Sequence, residues 1–362
     1  MKPRVLHAVE SLSTGILQVI RILCAELSND IEFCVLHGVR EETPKNLQEL
    51  FPANTRLVRW DVGRSISPKR DRKALGELRA LVRDWEPNLV HAHSSKAGAL
   101  ARVAALFDKT PLVYTPHGYS FLRLDISRPA RMFYKSAEWL LGRVPHLTVA
   151  CGAGEYIDAR AVATRAAFVR NMIEPLRPVP AIAGQREWVA AMCGSIRPQK
   201  NFPLFVELAR RLQDMPIMFE WIGGGTIPVS GALPPNIRVT GWLPRDEAVA
   251  RLARAQVFVQ TSLWEGLPIA VLEAMSLGIP VLATPCSGNR ELVVDGVNGY
   301  ICKDADVFEH WLRLLMASPE HVKQMGVSGR ELAGKNHSVG TNVLLWRSIY
   351  EHYERYREIG NV

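Results

Sequence analysis

The sequence predicts an α/β protein built from two doubly wound domains. Short apolar runs alternate with segments of helical periodicity along the whole chain, as expected for parallel sheets with helices on both faces. The alternation breaks once, in the proline-containing stretch NMIEPLRPVPAIAG at 171–184, and then restarts. The chain has 362 residues, more than one ordinary domain of about 100–200 residues.

Each predicted strand is a short apolar run between turn residues. The first-half strands are predicted at 4–11, 32–38, 56–62, 88–94, 111–118 and 146–151, and the second-half strands at 189–196, 217–223, 236–243, 256–262 and 280–284. Helical spacing is clear at 17–30, after Asn201, from Pro268 and near 341–357. The second and third strands are expected to follow each other without a long helix. These patterns predict a boundary near 178.

Composition narrows the class of protein. No run of about 18 apolar residues is present, and the N-terminus, MKPRVLHAVESLS, indicates a first strand rather than a signal peptide. The six cysteines form no CxxC pair and indicate buried thiols in a reducing cytoplasm. The net charge of +8 falls entirely in residues 1–180, which hold 26 basic and 18 acidic residues. This half is expected to attract an anionic partner.

The stretch SLWEGLPIAVLEAMSLG (262–278) carries the strongest chemical signal. A strand ends, a glycine loop follows, and Pro268 is predicted at the first helical position. A helix N-terminus of this kind offers free amides to a phosphate. Glu265 and Glu273 each supply a carboxylate that can accept hydrogen bonds from neighbouring sugar hydroxyls. A second loop, CGSIRPQKNFP (193–203), places Arg197 and Lys200 after a strand, where two cations can neutralise a diphosphate.

EGLPIAVLE, preceded by GSIRPQKN and followed by TPCSGNRELVVDGVNGYI, resembles the retaining GT-B glycosyltransferases of glycosyltransferase family 4. The resemblance implies two Rossmann-like domains facing a cleft, with an acceptor domain at 1–178 and a nucleotide-sugar domain at 179–340. It also implies that the last helix, 341–362, packs back on the first domain. A retaining, metal-independent hexosyltransferase is implied, with no cofactor beyond a UDP- or GDP-linked sugar.

The resemblance also assigns roles to matching positions. Glu265 contacts the donor sugar, Gly266 and Leu267 present backbone amides, Glu273 binds the ribose, and Lys200 binds the diphosphate. Family members often have Arg where Ser195 stands, and Arg197 is expected to replace that cation.

In the first half, His117 in TPHGYSF is expected to face the donor sugar, and Gly15 matches part of a glycine loop near the phosphates. His93, Ser94 and Lys96 in HAHSSKAG are expected to face the acceptor; a helix cap at Ser94 or Ser95 is the alternative explanation. The expected catalytic residues are His117, Glu265 and Lys200, and no metal ligands are predicted.

Two basic segments suggest how an acceptor arrives. One spans 119–143 and interleaves basic and aromatic residues; the other carries Arg64, Lys69, Arg70, Arg72, Lys73, Arg79 and Arg83. Such segments can rest on an anionic membrane, although an ordinary amphipathic core helix explains the same pattern. We therefore expect a cytoplasmic enzyme, peripheral on the inner face of the cytoplasmic membrane, with a lipid-linked saccharide acceptor in cell-surface polysaccharide synthesis.

Three alternatives come from other classes. A catalytically silent, nucleotide-sugar-binding scaffold is motivated by Ser195 and the thin glycine loop at Gly15. A dinucleotide oxidoreductase is disfavoured because no GxGxxG follows the first strand. A nucleic-acid binder is disfavoured because the excess charge accompanies no recognisable reading motif, so no nucleic-acid partner is expected.

Overall fold

The computed structural model describes residues 2–176, 187–227 and 231–353. The chain divides into two compact units. The first unit comprises Met1–Met172 and Val339–Val362, and the second comprises Ile173–Ser338. The predicted boundary near 178, and the later part of the predicted linker, lie outside the described residues.

The first unit contains a seven-stranded parallel sheet. Its strands are β1 (Arg4–Val9), β2 (Glu32–His37), β3 (Arg56–Arg59), β4 (Leu89–His93), β5 (Leu112–Thr115), β6 (Leu147–Ala150) and β7 (Ala166–Phe168), in the order β3-β2-β1-β4-β5-β6-β7. Its helices are α1 (Thr14–Leu27), α2 (Pro68–Trp85), α3 (Ser94–Asp108), α4 (Arg128–Leu141) and α5 (Ala153–Val162). Only a short 3-10 turn, Leu47–Leu50, lies between β2 and β3, which confirms the prediction for that connection.

The second unit contains a six-stranded parallel sheet. Its strands are β8 (Trp188–Cys193), β9 (Ile217–Ile222), β10 (Ile237–Val239), β11 (Val257–Gln260), β12 (Val281–Ala283) and β13 (Gly299–Ile301), in the order β10-β9-β8-β11-β12-β13. Its helices are α6 (Phe202–Arg211), α7 (Arg245–Leu252), α8 (Ile269–Leu277), α9 (Ser287–Leu292), α10 (Ala305–Ala317) and α11 (Pro319–Asn336). The three-residue strands β7 and β13 were not predicted.

The last helix, α12 (Val339–Glu351), belongs to the first unit and packs against α1. Trp346 and Tyr350 of α12 are buried there, and Tyr350 bonds to His91 of β4 through its hydroxyl at 2.8 Å. The helix is held by aromatic and polar contacts to the sheet.

Each sheet has a point where the strand order reverses. In the first unit this point lies between β1 and β4, and in the second it lies between β8 and β11. Ligands of open α/β sheets bind outside the carboxyl ends of the strands at such a point. The loops that follow these four strands are therefore the places to look for chemistry.

A buried ion pair joins α3 to α4 in the first unit. Arg102 donates from Nη2 to Glu138 Oε2 at 2.8 Å, and Tyr114 donates its hydroxyl to Glu138 Oε1 at 3.1 Å. The Arg102 guanidinium also lies over the Tyr114 ring, 4.2 Å from its centroid. Both charges are out of water, with Arg102 1% and Glu138 5% exposed, so each depends on the other.

We predict that Glu138→Ala lowers the free energy of unfolding by about 3–5 kcal/mol, because it leaves the Arg102 charge buried and unpaired. Glu207→Ala, which removes an exposed partner of Arg211, is the matched control and is expected to cost about 0.5 kcal/mol or less. Urea unfolding followed by circular dichroism measures both. Equal effects of the two substitutions would contradict the role assigned to the buried pair.

Candidate functional site

A lysine and a glutamate meet at the carboxyl ends of β8 and β11. Lys200 Nζ donates to Glu265 Oε1 at 2.7 Å, and both side chains are largely shielded from water. Two amides surround the same carboxylate: Gln260 Nε2 lies 3.2 Å from Oε1, and Gln199 Nε2 lies 3.2 Å from Oε2. Two residues that the sequence predicted in separate loops, 65 positions apart, therefore share one cluster.

Three hydrogen bonds to backbone carbonyls connect the two loops. The Thr261 hydroxyl donates to the Lys200 carbonyl at 2.6 Å, and the Leu263 amide donates to the Gln199 carbonyl at 2.8 Å. Gln199 also donates from its side chain to the Trp264 carbonyl at 3.0 Å. Because β8 and β11 are neighbours in the sheet, these bonds hold the loop of Lys200 beside the loop of Glu265.

Glycines allow the turns around this pair to approach closely. Gly223 has a φ of +144°, and a Cβ there would lie 2.1 Å from the carbonyl oxygen of Gly194. At Gly288, a Cβ would lie 2.2 Å from the carbonyl oxygen of Gly266. A side chain at either position would push apart the loops that carry the site.

Gly266 and Leu267 precede helix α8, which begins at Ile269. Pro268 is the N-cap of this helix, not its first helical residue as predicted, because its ψ of 114° is extended. The helix N-terminus therefore lies directly after Glu265 and Gly266, and its dipole favours an anion there. Arg197 is half-buried at the start of the 3-10 turn Pro198–Lys200.

Glu273 has a partner that the sequence did not reveal. Arg245, at the start of α7, donates from Nη1 to Glu273 Oε1 at 2.5 Å. Burial raises the pKa of the Cys193 thiol well above its usual value. The negative charge of Glu273 raises this pKa further, whereas the positive charge of Lys200 lowers it. Burial and the Glu265 charge likewise raise the pKa of Cys286 to about 11. Lys200 therefore lies within electrostatic reach of the Glu265 carboxylate and of both thiols.

His117 occupies a strained turn after β5. Its φ is +53°, in the left-handed region that residues other than glycine rarely adopt. The buried Glu155 side chain stabilises the turn: Oε1 accepts the Gly118 amide at 2.5 Å, and Oε2 accepts the Cys151 amide at 2.8 Å. Sequence reasoning missed Glu155, which had no motif to distinguish it.

His93, which was expected to face the acceptor, is a buried residue. It is wholly buried, and both ring nitrogens are bonded within the protein: Nε2 lies 2.9 Å from His7 Nδ1, and Nδ1 lies 3.0 Å from His117 Nε2. The neighbouring His91 is also buried, with its ring nitrogens bonded to the hydroxyls of Tyr350 and Thr115. His93 is buried because β4 is the central strand of the sheet.

The structure also brings together a group of histidines that their separation in sequence had concealed. The ring nitrogens of His7, His91 and His93 lie within 4.8 Å of one another, close enough to hold a metal ion. The sequence predicted no metal ligands because no His/Asp grouping stands at a ligand spacing along the chain. These three histidines come together only because the strands β1 and β4 pair.

Ser94 and Lys96 begin helix α3. Ser94 has a φ of +68°, and its hydroxyl is buried without a hydrogen-bond partner among the described residues. Ser95 accepts the Ser120 amide at 3.3 Å, so neither serine caps the helix as the alternative proposed. Lys96 pairs with Asp71 at 2.7 Å. It is thus bonded to α2 in this structure.

Gly15 lies in the first turn of α1, after β1. Its neighbour Thr14 takes the left-handed φ of +48°, a conformation that favours glycine. The turn before α1 therefore carries backbone strain at Thr14.

The two sheets and their switch-point loops define the class of protein, a GT-B fold of two Rossmann-like domains. A structure of sucrose-phosphate synthase from Thermosynechococcus elongatus matches with a TM-score of 0.81 at 16% identity, covering 98% of this chain and 100% of that one. The Anabaena protein HepE, solved with UDP and glucose, matches with a TM-score of 0.77 at 16% identity, covering 96% and 99%.

Sequence models then place the chain in its family. Residues 178–332 match the model of glycosyl transferases group 1, and residues 14–172 match the glycosyl transferase 4-like domain. The UDP-Gal:alpha-D-GlcNAc-diphosphoundecaprenol alpha-1,3-galactosyltransferase of Escherichia coli is 27% identical over 276 residues, 67% of this chain and 70% of that protein. The chain belongs to the family 4 type of glycosyltransferases, as the sequence motifs predicted, and it is a glycosyltransferase of polysaccharide biosynthesis.

Among the described residues, every helix is too short or too polar to cross a bilayer.

The buried histidines predict an acid-sensitive first unit. Burial lowers the pKa of His7 and His146 to about 3 and that of His117 to about 4, and it lowers the pKa of His91 and His93 as well. Unfolded imidazoles titrate near pH 6.5, so below that pH the unfolded chain binds more protons than the folded chain. Stability is therefore lost as pH falls from about 6.5 towards 4.

We expect the free energy of unfolding to fall between pH 7.5 and 5, by up to about 1.4 kcal/mol per pH unit for each such histidine. Urea titrations at successive pH values measure the slope. His146→Gln removes one of these protons and is expected to reduce the slope, whereas His310→Gln, at an exposed position, should leave it unchanged. A stability independent of pH across this range would contradict the burial of neutral imidazoles.

Proposed function

We propose that the enzyme transfers a hexose from a UDP- or GDP-linked donor to a lipid-linked saccharide, with retention of configuration and without a metal ion or other cofactor. The observation that carries the proposal is the Lys200–Glu265 pair between two glycine-rich turns at a switch point. The Escherichia coli relative, by its name, uses a UDP-sugar and a diphosphoundecaprenol-linked acceptor, which supports this choice of donor and acceptor.

Lys200 is the cation proposed to bind the donor diphosphate. In this structure Glu265 neutralises Lys200, so the pair carries no net charge. A diphosphate placed near Gly266 would attract Lys200 and the α8 dipole, while Glu265 would turn to the sugar hydroxyls. Charge develops on the departing diphosphate in the transition state, where a positioned cation and fixed amides stabilise it best. Arg197 is the candidate for the second cation.

Glu273 and Arg245 form the candidate ribose clamp. The ion pair uses Oε1 of Glu273, and the carboxylate has further acceptor sites for ribose hydroxyls. His117, by the family resemblance, is expected to contact the donor sugar. In this proposal no carboxylate forms a covalent intermediate with the sugar.

The alternative of a silent scaffold rests on Ser195, which stands where relatives have an arginine. Both candidates bind a nucleotide sugar, but only the enzyme turns it over.

We predict that Lys200→Ala and Glu265→Gln each lower kcat by about 10²–10³-fold, because each removes a group that acts on the departing diphosphate or the sugar. Lys303→Ala, at an exposed lysine of the same unit, is the control with unchanged turnover. Thermal shift across UDP- and GDP-sugars selects the donor, and transfer to a prenyl-diphosphate-linked N-acetylglucosamine is then followed by mass spectrometry.

NMR of the product measures its anomeric configuration, which should be that of the donor sugar if the enzyme retains it. Activity measured in excess chelator should be unchanged if no metal ion is needed. Binding of a nucleotide sugar without hydrolysis or transfer would favour the scaffold. Turnover of Lys200→Ala close to that of the unmodified chain would overturn the role assigned to this lysine.

The α4 surface supports attachment to a membrane. We define the α4 patch as the exposed apolar residues Leu124, Met132, Phe133, Trp139 and Leu140 with the exposed cations Arg128, Lys135 and Arg143. Of the α4 residues, only Glu138 is fully buried, so the helix presents most of its surface to solvent. The Arg143 guanidinium lies 3.7 Å from the centroid of the Trp139 ring, a pairing suited to a headgroup boundary.

In the second basic segment, from Arg64 to Arg83, several cations are not free to bind a membrane, because they are paired with carboxylates. Arg70 and Lys73 pair with Asp61, and Arg79 pairs with Asp108. We therefore assign the membrane contact to the α4 patch, and with it a location on the inner face of the cytoplasmic membrane.

We predict that the protein floats with vesicles containing anionic lipid, and that the double change Phe133→Ser with Trp139→Ser abolishes flotation, because it removes two large apolar side chains from the patch. Leu344→Ser, at an exposed leucine of α12, is the matched control. Failure to float with both anionic and neutral vesicles would exclude a membrane contact.

A further inference from the structure

Three histidines form a continuous hydrogen-bonded chain in the first unit, which we call the histidine chain. His7 Nδ1 lies 2.9 Å from His93 Nε2, and His93 Nδ1 lies 3.0 Å from His117 Nε2. The rings of His93 and His117 are stacked, with centroids 5.2 Å apart and an interplanar angle of 15°. The chain runs from the wholly buried His7 on β1, through His93 on β4, to the half-buried His117 after β5.

Each hydrogen bond of the histidine chain joins two ring nitrogens, and only one of the two nitrogens can carry the shared proton. A neutral imidazole has one N–H and one bare nitrogen, and in each link one nitrogen must donate while the other accepts. Burial in the sheet keeps all three rings neutral at physiological pH, because it lowers their pKa values. The chain therefore has two possible directions, and all its tautomers change together.

The buried end of the chain decides the direction. His7 Nε2 is buried and has no hydrogen-bond partner among the described residues. Burying a donor N–H without an acceptor is rarer in proteins than leaving an acceptor unused. His7 therefore carries its proton on Nδ1 and donates to His93 Nε2. His93 then carries its proton on Nδ1 and donates to His117 Nε2.

We propose that His93 is a positioning residue that holds His117 as its Nδ1–H tautomer, so that His117 presents a hydrogen-bond donor to an oxygen of the donor sugar. The second half of this statement rests on the proposed function, whereas the tautomer does not. The bond also orients the ring, together with Glu155, which fixes the amide of Gly118. The sequence assigned His93 to the acceptor, whereas in the structure it bonds to His117, which the proposed function assigns to the sugar.

A metal ion is the competing use of the same residues. Coordination by His7, His91 and His93 would break the His7–His93 bond and at least one bond of His91 to Tyr350 or Thr115. All these bonds are already made in the structure, so we favour the hydrogen-bonded chain.

The test is the protonation state of each ring nitrogen, read from the ¹⁵N spectrum of the full chain labelled at histidine. His146 is an internal reference, because its Nδ1 lies 2.7 Å from the Val144 carbonyl and must carry the proton. We expect His117 to show a protonated Nδ1 and a bare Nε2. His93→Phe, which keeps a ring but removes both nitrogens, should release His117 to a mixture of tautomers. His146→Gln should leave His117 unchanged.

His7→Asn is the second variant, in case His93→Phe does not fold. Its amide group can replace Nδ1 as the donor to His93, so the His117 tautomer should persist. A proton on His117 Nε2 in the unmodified chain would overturn the proposal. So would stoichiometric zinc binding that shifts the ¹⁵N resonances of His7, His91 and His93.

Kinetics separates this proposal from the proposed function. Loss of the orienting bond, worth about 1–1.5 kcal/mol, should lower kcat of His93→Phe by about tenfold, with a smaller change in KM for the donor. An inactive chain that still shows the Nδ1–H tautomer of His117 would contradict the transferase function and leave the histidine chain standing. An active chain in which His93→Phe leaves kcat and the tautomer unchanged would contradict only the positioning role.

Discussion

The pairing of β8 with β11 is the constraint on which the candidate donor site depends. These strands are separated in the chain by α6, β9, β10 and α7, yet parallel pairing places their carboxyl ends side by side. Lys200 follows one strand and Glu265 follows the other. Their 2.7 Å contact, and the backbone bonds between their loops, exist only because the sheet brings the two strand ends together. Gly223 and Gly288 allow neighbouring turns to approach these two loops closely.

The first unit uses the same geometry with different residues. β4 pairs with β1 on one side and β5 on the other, so His7, His93 and His117 come from three adjacent strands or their ends. Where the second unit places a cation and carboxylates in partial contact with water, the first buries neutral imidazoles. Left-handed φ angles at Thr14, Ser94 and His117 mark the turns after these three strands. Strain concentrated at one edge of a sheet is typical of functional loops.

Local sequence patterns predicted most of the architecture. The alternation of strands and helices, the short connection between β2 and β3, and the family motifs around Lys200, Glu265 and Glu273 were all visible in the sequence. The three-residue strands β7 and β13 were missed, although β10 and β12, of the same length, were predicted. Arg245 and Glu155 were missed because neither lies in a recognised motif. Gln199 lies within RPQK, but its role was missed because its partners Trp264 and Glu265 are far away in the chain.

The sequence by itself determined the fold class, the family and the residue types available for holding an activated sugar, because hydrophobic periodicity and glycine-rich turns are local properties. Only the tertiary structure decided which side chains meet. It joined Lys200 to Glu265, gave Glu273 its arginine, and moved His93 from a presumed acceptor surface into a buried chain of imidazoles. The physical reason is that strand order is set by how the whole sheet buries its two faces, and a ring on a central strand is covered by helices whatever its chemistry.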